Sequence, residues 1–308
     1  MSYKYYELPV CYLANGLELK LPVHEFKGGD GPVLGITAAI HGDETITVEI
    51  ARLIVEQLKK EKNINGTIKV MPLANPLAYE MVSRFTPIDG VNMNRVFPGN
   101  PDRTVTEIQA HVIAGFLESL DLYIDIHAGG QDPVVDYTYV MNDEGFSRAF
   151  GSRLLYRPSQ GYPGTSATIT QAKNIPSVTL ECGGGPNVQY YVDKGVKGII
   201  NMLRYKNMID GEAEKPPKDQ ILITHIEHVN PHHCGMFVPA QSYESMEGII
   251  KGKGTVLGRI YNPMTLELLE EIKAPFEENL MILMRCDYNR ILAGDFTFMI
   301  GDLNSEVK

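Results

Sequence analysis

Residues 33–40, with the sequence VLGITAAI, form a nearly continuous apolar run that is far too short to span a membrane. Such a run is typical of a β-strand that is buried on both faces, as in parallel sheets covered by helices. Similar short runs recur at residues 67–73, 122–126 and 177–181. The chain therefore contains the strands expected of a mostly parallel sheet.

Helical periodicity separates these runs. Residues 45–62, 105–120 and 187–208 each carry apolar side chains at a spacing of three and four positions, which predicts amphipathic helices. Alternation of buried strands with such helices is the pattern of an α/β protein. We therefore predict a mostly parallel, mixed sheet with helices on both faces.

The composition changes near residue 210. Residues 211–220 are charged and contain two prolines, which predicts a linker. Short β-like segments separated by Gly, Pro and Asn follow, without helical periodicity, so we predict a small all-β domain at 221–308. Residues 1–210 would form the α/β domain, with residues 1–30 as a β-rich lead-in.

The amino-acid composition indicates which binding partners and which cellular compartment to expect. Of the 308 residues, 44% are hydrophobic and 21% are charged, as in ordinary globular proteins. The net charge of −10 argues against a nucleic-acid surface, and neither a secretion signal nor a membrane span is recognisable. The cysteines are scattered without a C-x-x-C pair: Cys11, Cys182, Cys234 and Cys286. We therefore expect a cytoplasmic protein without nucleic-acid or membrane partners, either as a monomer or as a homo-oligomer.

Three side chains capable of binding a metal or a proton follow the predicted strands. His41 and His127 come directly after two of the apolar runs, and Glu181 ends a third. In an open parallel sheet, ligands bind outside the carboxyl ends of the strands. We therefore expect these three residues to meet in one crevice.

Two histidines and one glutamate are a recurring ligand set of catalytic zinc sites. Glu44 lies three positions after His41, and with His127 it would complete this set. Zinc would activate a water molecule, and Glu181 would act as the general base. Alternatively, Glu44 is only an acidic residue at a helix start, and His127 is a hydrogen-bonded core histidine. These ligand types also do not distinguish zinc from other divalent metals.

An ordered set of motifs, HGDE, ANP, SRFTPIDGVNMNRVFPG, DIHAGG and TLECGGG, resembles the succinylglutamate desuccinylase/aspartoacylase family. That family is a branch of the zinc carboxypeptidase superfamily, and the resemblance covers residues 31–205. It implies these roles: His41, Glu44 and His127 as zinc ligands, Arg84 as the group that polarises the scissile carbonyl, Asn94 and Arg95 as ligands of the substrate α-carboxylate, and Glu181 as general base.

The resemblance implies a hydrolase with one Zn²⁺ per chain that removes an N-acyl group from an amino acid or a related small carboxylate. The alternatives are a zinc carboxypeptidase that cleaves a C-terminal residue, and a catalytically silent binding protein of the same fold. The acyl group and the amino acid stay open, because residues 130–176 match only loosely. In that region Tyr137, Tyr139 and Tyr162 are either pocket donors or packing residues.

The C-terminal part is similar to the barrel-sandwich, lipoyl-like appendage of bacterial family members. Its APFEEN turn has no lysine to carry a prosthetic group, so we expect a shaping or assembly role. Residues 225–235 contain four histidines: His225, His228, His232 and His233. His225 and His228 are three positions apart and would point to opposite faces of a strand, and the predicted linker would separate this tract from the sheet. We therefore expect no second metal site here, but a loop that caps the substrate, or no role.

Overall fold

The computed structural model describes residues 1–130, 133–185, 188–242, 246, 248–285 and 287–307, so Cys286 lies outside the described residues. The first eight strands are β1 (Ser2–Tyr12), β2 (Glu18–Lys27), β3 (Val33–Ala38), β4 (Thr67–Met71), β5 (Leu122–His127), β6 (Pro133–Tyr139), β7 (Leu154–Tyr156) and β8 (Ser177–Gly183). The helices are α1 (Ile46–Leu58), α2 (Pro76–Glu80), α3 (Val105–Glu118), α4 (Glu144–Arg148), α5 (Ser166–Ala172) and α6 (Val188–Tyr205).

The C-terminal part consists of strands β9 to β17. Their bounds are β9 (Ile221–Ile223), β10 (Ile226–Val229), β11 (Gly235–Pro239), β12 (Ile249–Lys251), β13 (Val256–Tyr261), β14 (Leu268–Lys273), β15 (Glu278–Arg285), β16 (Asn289–Ile291) and β17 (Phe298–Asp302). Short 3₁₀ turns lie at Met93–Arg95 and Leu303–Ser305. The predicted absence of helical periodicity after residue 220 agrees with this all-β segment.

The centre of the main sheet is parallel. Strands β4, β3, β5 and β8 are neighbours in this order and run in the same direction. Antiparallel strands flank them, with β2 beside β4 and β6 beside β8. The parallel centre brings the carboxyl ends of β3, β5 and β8 to one edge, where ligands bind in open α/β sheets.

Helices cover both faces of this sheet. Ile50 of α1 and Ile199 of α6 share a buried cluster with Ile124 of β5. The preceding residue of that strand, Tyr123, belongs to a second cluster with Ile113 of α3. Because adjacent residues of a strand point to opposite faces, the two clusters lie on opposite sides of the sheet. The predicted α/β architecture is confirmed.

The C-terminal strands continue the main sheet and also form a smaller one. Strand β15 pairs with β6, and β9 pairs with β7, so 13 of the described strands belong to one sheet. Strands β14, β13, β11 and β16 form a separate antiparallel sheet. The expectation that residues 211–220 separate the histidine tract from the main sheet is wrong, because the polar linker is followed directly by strands that pair with that sheet. The two-domain division itself stays a prediction.

None of the helices in the described part of the chain is long and apolar enough to cross a membrane.

Candidate metal centre and active-site pocket

His41 reaches the carboxyl edge of the sheet through a turn after β3. Ala39 has a φ of 54°, a left-handed conformation that redirects the chain out of the strand. Its N–H donates to Oγ1 of Thr47 (3.1 Å), and its carbonyl accepts from the N–H of Asn75 (3.0 Å). The turn is therefore fixed from both sides before the chain enters α1.

The glycine of the HGDE motif is required by close packing. A Cβ atom on Gly42 would lie 2.0 Å from the carbonyl carbon of Ala78 in α2. No real Cβ tolerates such a distance to backbone, so only glycine fits here without a shift of α2. This contact holds the HGDE turn against the segment that carries Arg84.

His41, Glu44 and His127 form one buried cluster. Oε1 of Glu44 lies 2.7 Å from Nδ1 of His41, and Oε2 lies 3.0 Å from Nδ1 of His127. All three side chains are at most 3% exposed. A helix-start residue that only served the helix dipole would face solvent, whereas the Glu44 carboxylate points between the two imidazole rings.

The second nitrogen of each imidazole has its own acceptor. Nε2 of His41 lies 3.1 Å from Oδ1 of Asn92, and Nε2 of His127 lies 3.0 Å from Oδ2 of Asp125. With a cation bound, these acceptors would hold the protons on Nε2 and leave the Nδ1 lone pairs to the metal. The candidate ligand atoms lie within 4.8 Å of one another. Two imidazole nitrogens and a carboxylate this close are a donor set that suits a divalent cation such as zinc.

The electrostatics of the cluster favour an ionised Glu44, a protonated His127 and a neutral His41. Burial opposes ionisation of Glu44, but the two histidines outweigh burial and lower the pKa of this carboxyl. Burial also disfavours a charged His127, but Asp125 and Glu44 outweigh it and raise its pKa well above the usual value. The pKa of His41 falls to about 4 because of burial, so this imidazole stays neutral and keeps a lone pair at neutral pH.

The cluster opens into a cavity of about 510 Å³. Every predicted site residue lines it: His41, Glu44, Arg84, Asn94, Arg95, His127 and Glu181. The three tyrosines of the loosely matched region line it as well: Tyr137, Tyr139 and Tyr162. The structure therefore confirms that the residues at the ends of β3, β5 and β8 meet in one crevice. Their roles in a reaction stay predictions.

Arg84 adjoins the candidate metal ligands. Its NH1 atom lies 3.3 Å from Oε1 of Glu44 and 3.3 Å from Nδ1 of His41. The side chain is 33% exposed, so the guanidinium lies between the buried cluster and the open part of the cavity. A cation in this position can contact an oxygen atom of a molecule bound beside the cluster.

Asn94 and Arg95 occupy different environments. The Asn94 side chain is buried, where Oδ1 accepts from the N–H of Ser166 (3.0 Å) and Nδ2 lies 3.4 Å from Nε2 of His127. Arg95 is exposed to the cavity, and its NH1 donates to the backbone carbonyl of Asn94 (2.6 Å). Asn94 therefore contacts mainly protein groups, whereas the remaining donors of Arg95 face the cavity.

Glu181 lies beside His127 in the register of the β5–β8 pair. No donor in the described ranges hydrogen-bonds to its carboxylate, which faces the cavity. Burial is the main cause that raises the pKa of Glu181 to about 8, and the Glu44 carboxylate acts in the same direction. A carboxyl group with a perturbed pKa in a cleft is typical of proton-transfer sites.

The structure adds residues that sequence reasoning did not identify. Asp125 accepts from His127, from Oγ1 of Thr37 (2.7 Å) and from Oγ of Ser166 (2.5 Å), all of them buried. Its position two residues before His127 on one strand was a usable signal, since alternate residues share a face. Of the four histidines at 225–235, for which a capping role or none was expected, His228 lines the cavity. Phe296 also lines it, but its own segment carries no local signal for this placement.

An α/β sheet with a buried His–Glu–His cluster at the carboxyl ends of its parallel strands defines an α/β protein with a candidate metal centre. Residues 30–205 match the family model for the succinylglutamate desuccinylase/aspartoacylase catalytic domain. The chain belongs to this family.

Relatives agree with this assignment. The chain is 27% identical over 260 residues to an N-α-acetyl-L-2,4-diaminobutyric acid deacetylase of Halomonas elongata, covering 79% of this chain and 74% of the relative. A product-bound ectoine utilization protein of Ruegeria pomeroyi has the same fold, with a TM-score of 0.84, 22% identity, and coverage of 97% and 94%. A metallopeptidase-like protein of Shewanella denitrificans shares the fold more distantly, with a TM-score of 0.52, 13% identity, and coverage of 67% and 85%.

Proposed function

We propose that the protein is a zinc-dependent hydrolase that removes an N-acyl group from an amino acid or a related small carboxylate. The observation that supports this most strongly is the His41–Glu44–His127 cluster, which opens into a cavity lined by Arg84, Arg95 and a carboxylate with no hydrogen bond from the described residues. One zinc ion per chain would be held by Nδ1 of each histidine and the Glu44 carboxylate. When bound, zinc supplies Lewis acidity, which makes water a better nucleophile and a carbonyl a better electrophile.

Glu181 would move the proton. In its ionised form, which a bound zinc cation would favour, its carboxylate would accept a proton from the attacking water as the water oxygen bonds to the acyl carbon. It then donates this proton to the amide nitrogen as the carbon–nitrogen bond breaks, which yields a carboxylic acid and a free amine. Because no hydrogen bond from the described chain occupies its carboxylate, Glu181 can contact water without first losing a protein partner.

The arginines would orient the substrate. Arg84, 3.3 Å from Glu44, is placed to hydrogen-bond to the acyl carbonyl oxygen as negative charge develops there. Arg95 would bind the substrate carboxylate, because a guanidinium matches the planar geometry of a carboxylate. The buried Asn94 would support this contact through its backbone carbonyl, which holds Arg95 at 2.6 Å.

The size of the cavity and the named relative support a small substrate. A volume of about 510 Å³ is that of a site for one small molecule. The Halomonas elongata relative is named as a deacetylase of an N-acetylated amino acid, which favours amide cleavage on the amino acid's nitrogen. The net charge of −10 supports the absence of a nucleic-acid partner, and the scattered cysteines support a cytoplasmic location.

A carboxypeptidase reaction is the alternative, since Arg95 would bind a peptide carboxylate equally well. A product screen with acetyl and succinyl amino acids beside short unblocked peptides separates the two activities. Release of acetate or succinate identifies a deacylase, and release of a C-terminal amino acid identifies a carboxypeptidase. Turnover of neither class in the presence of zinc would favour a binding protein.

The Glu181→Gln variant tests the proposed mechanism. Glutamine keeps the shape of the side chain but cannot accept the proton from water, so we expect a loss of turnover of roughly 10²–10⁴-fold. Zinc content and thermal stability should stay at the wild-type level, because Glu181 is not among the candidate ligands. Undiminished turnover would exclude Glu181 as the general base.

A further inference from the structure

The Arg84 guanidinium also contacts an aromatic ring from the C-terminal part of the chain. Cζ of Arg84 lies 5.9 Å from the centroid of the Phe296 ring. Phe296 belongs to the connection between β16 and β17, more than 200 positions later in the chain. Both residues line the same cavity, so this contact crosses its mouth from one part of the chain to the other.

Phe296 is held in place by its surroundings. Its carbonyl accepts a hydrogen bond from Nε of Arg285 (2.8 Å), and the N–H of Arg285 donates to the carbonyl of the next residue, Thr297 (3.0 Å). The ring also lies 5.4 Å from the ring of His228, which lines the cavity from β10. The backbone of Phe296 is therefore held by β15 and its ring contacts β10, although the residue is 38% exposed.

We propose that Phe296 is a positioning residue that holds the Arg84 guanidinium beside the candidate metal centre. A long arginine side chain at 33% exposure has several accessible rotamers, and an aromatic face favours the one in which the cation lies over the ring. The polar contacts to Glu44 and His41 fix one side of the guanidinium, and Phe296 limits its movement towards solvent. This inference rests on the proposed role of Arg84 in the reaction.

Kinetics of three Phe296 variants distinguish an aromatic contact from simple space filling. Phe296→Ala should lower kcat by roughly 3–30-fold while KM changes little, because a contact of this type is worth about 0.5–2 kcal/mol. Phe296→Tyr should restore most of the loss, whereas Phe296→Leu, which fills space without an aromatic face, should not. Equal recovery with leucine and tyrosine would contradict the proposal.

Leu292 provides a matched control. It is a 50% exposed apolar residue of the same connection, and it does not line the cavity. Leu292→Ala should leave kcat unchanged. A loss equal to that of Phe296→Ala would show that the connection as a whole matters and would contradict a specific role of Phe296.

A double-mutant cycle tests the coupling directly. Phe296→Ala should have a much smaller effect on kcat in an Arg84→Gln background, because glutamine carries no cation to lie over the ring. The same effect in both backgrounds would mean that the two side chains act independently, and it would overturn the proposal.

Fluorescence supplies a readout that does not depend on activity. The chain contains no tryptophan, so Phe296→Trp introduces a single indole at this position. Acrylamide should quench this indole more strongly in Phe296→Trp/Arg84→Ala than in Phe296→Trp alone, because Arg84 shields the ring. Equal quenching in the two variants would show that Arg84 does not contact the ring at position 296, and it would overturn the proposal. If the protein hydrolyses no N-acyl amino acid but the quenching difference is observed, the proposed function is contradicted. The contact between Arg84 and residue 296 is then still supported.

Discussion

Oδ2 of Asp125 lies 3.0 Å from Nε2 of His127, and both side chains are buried and line the cavity. The same carboxylate accepts hydrogen bonds from Thr37 and Ser166, and the Thr37 hydroxyl lies 2.6 Å from the hydroxyl of Tyr123. These bonds fix the ring orientation of His127, so that Nδ1 faces Glu44. The affinity for zinc should therefore depend on a residue that is not a ligand.

Asp125→Asn tests this dependence. Asparagine keeps the size of the side chain but removes the charge that holds the proton on Nε2, and the loss of such an acceptor typically weakens metal binding about 10–100-fold. Competition with a chelator of known affinity measures the change. The exposed Asp193→Asn is the control and should bind zinc like the wild type. Equal affinities of Asp125→Asn and wild type would contradict the prediction.

Gly42 and Gly115 form a contrasting pair for alanine substitution. A Cβ on Gly42 would lie 2.0 Å from the carbonyl carbon of Ala78, so Gly42→Ala should destabilise the fold by about 1–3 kcal/mol. Gly115 lies within α3, and a Cβ there would meet open space. Gly115→Ala should stabilise the protein by about 0.5–1 kcal/mol, since alanine is the better helix former. Urea unfolding measures the stability of both variants. Equal changes in the free energy of unfolding would refute the packing argument.

The pair of Asp143 and Lys206 should contribute stability that is lost in acid. Burial opposes ionisation of Asp143, but the Lys206 ammonium at 2.6 Å and backbone donors outweigh burial and lower the pKa of the carboxyl. A carboxyl group whose pKa is lowered in the folded state stabilises the protein at pH values above its unfolded-state pKa, which is about 4 for aspartate. This contribution disappears as the pH falls through the lower folded value.

Asp143→Asn isolates that contribution, because asparagine can still accept the hydrogen bond from the N–H of Phe146 at the start of α4. The variant should be less stable than wild type by about 1 kcal/mol at neutral pH, since both side chains are partly exposed. Urea midpoints recorded from pH 7 down to pH 3 should converge. A difference that stays constant over this range would exclude the ion pair as its cause.

Local patterns in the sequence predicted the centre of the fold. Strands β3, β5 and β8 are short apolar runs, and their burial follows directly from that composition. The site residues His41, His127 and Glu181 could be placed because parallel strands with known ends share one edge. By contrast, β6 was not recognised, because it contains the buried polar residues Asp136 and Thr138, and Asp136 is neutralised by Lys194, 58 positions away.

The parts of the fold that were not predicted depend on pairing between strands that are far apart in the sequence. The link between β6 and β15 joins Val135 to Leu283, and no local pattern in either segment specifies that partner. The expectation that the C-terminal part shapes the substrate site gains support from His228 and Phe296, which line the cavity. Both positions follow from the continuation of the main sheet and not from the composition of their own segments.

The metal content of the purified protein tests the central claim most directly. After incubation with zinc and removal of free metal, the wild type should hold about one zinc ion per chain, and so should Glu181→Gln. His127→Ala should lose most of its zinc, because the cluster then keeps only His41 and Glu44 as ligands. Wild-type protein without stoichiometric divalent metal, or His127→Ala with undiminished zinc, would contradict the assignment of this cluster as the zinc site.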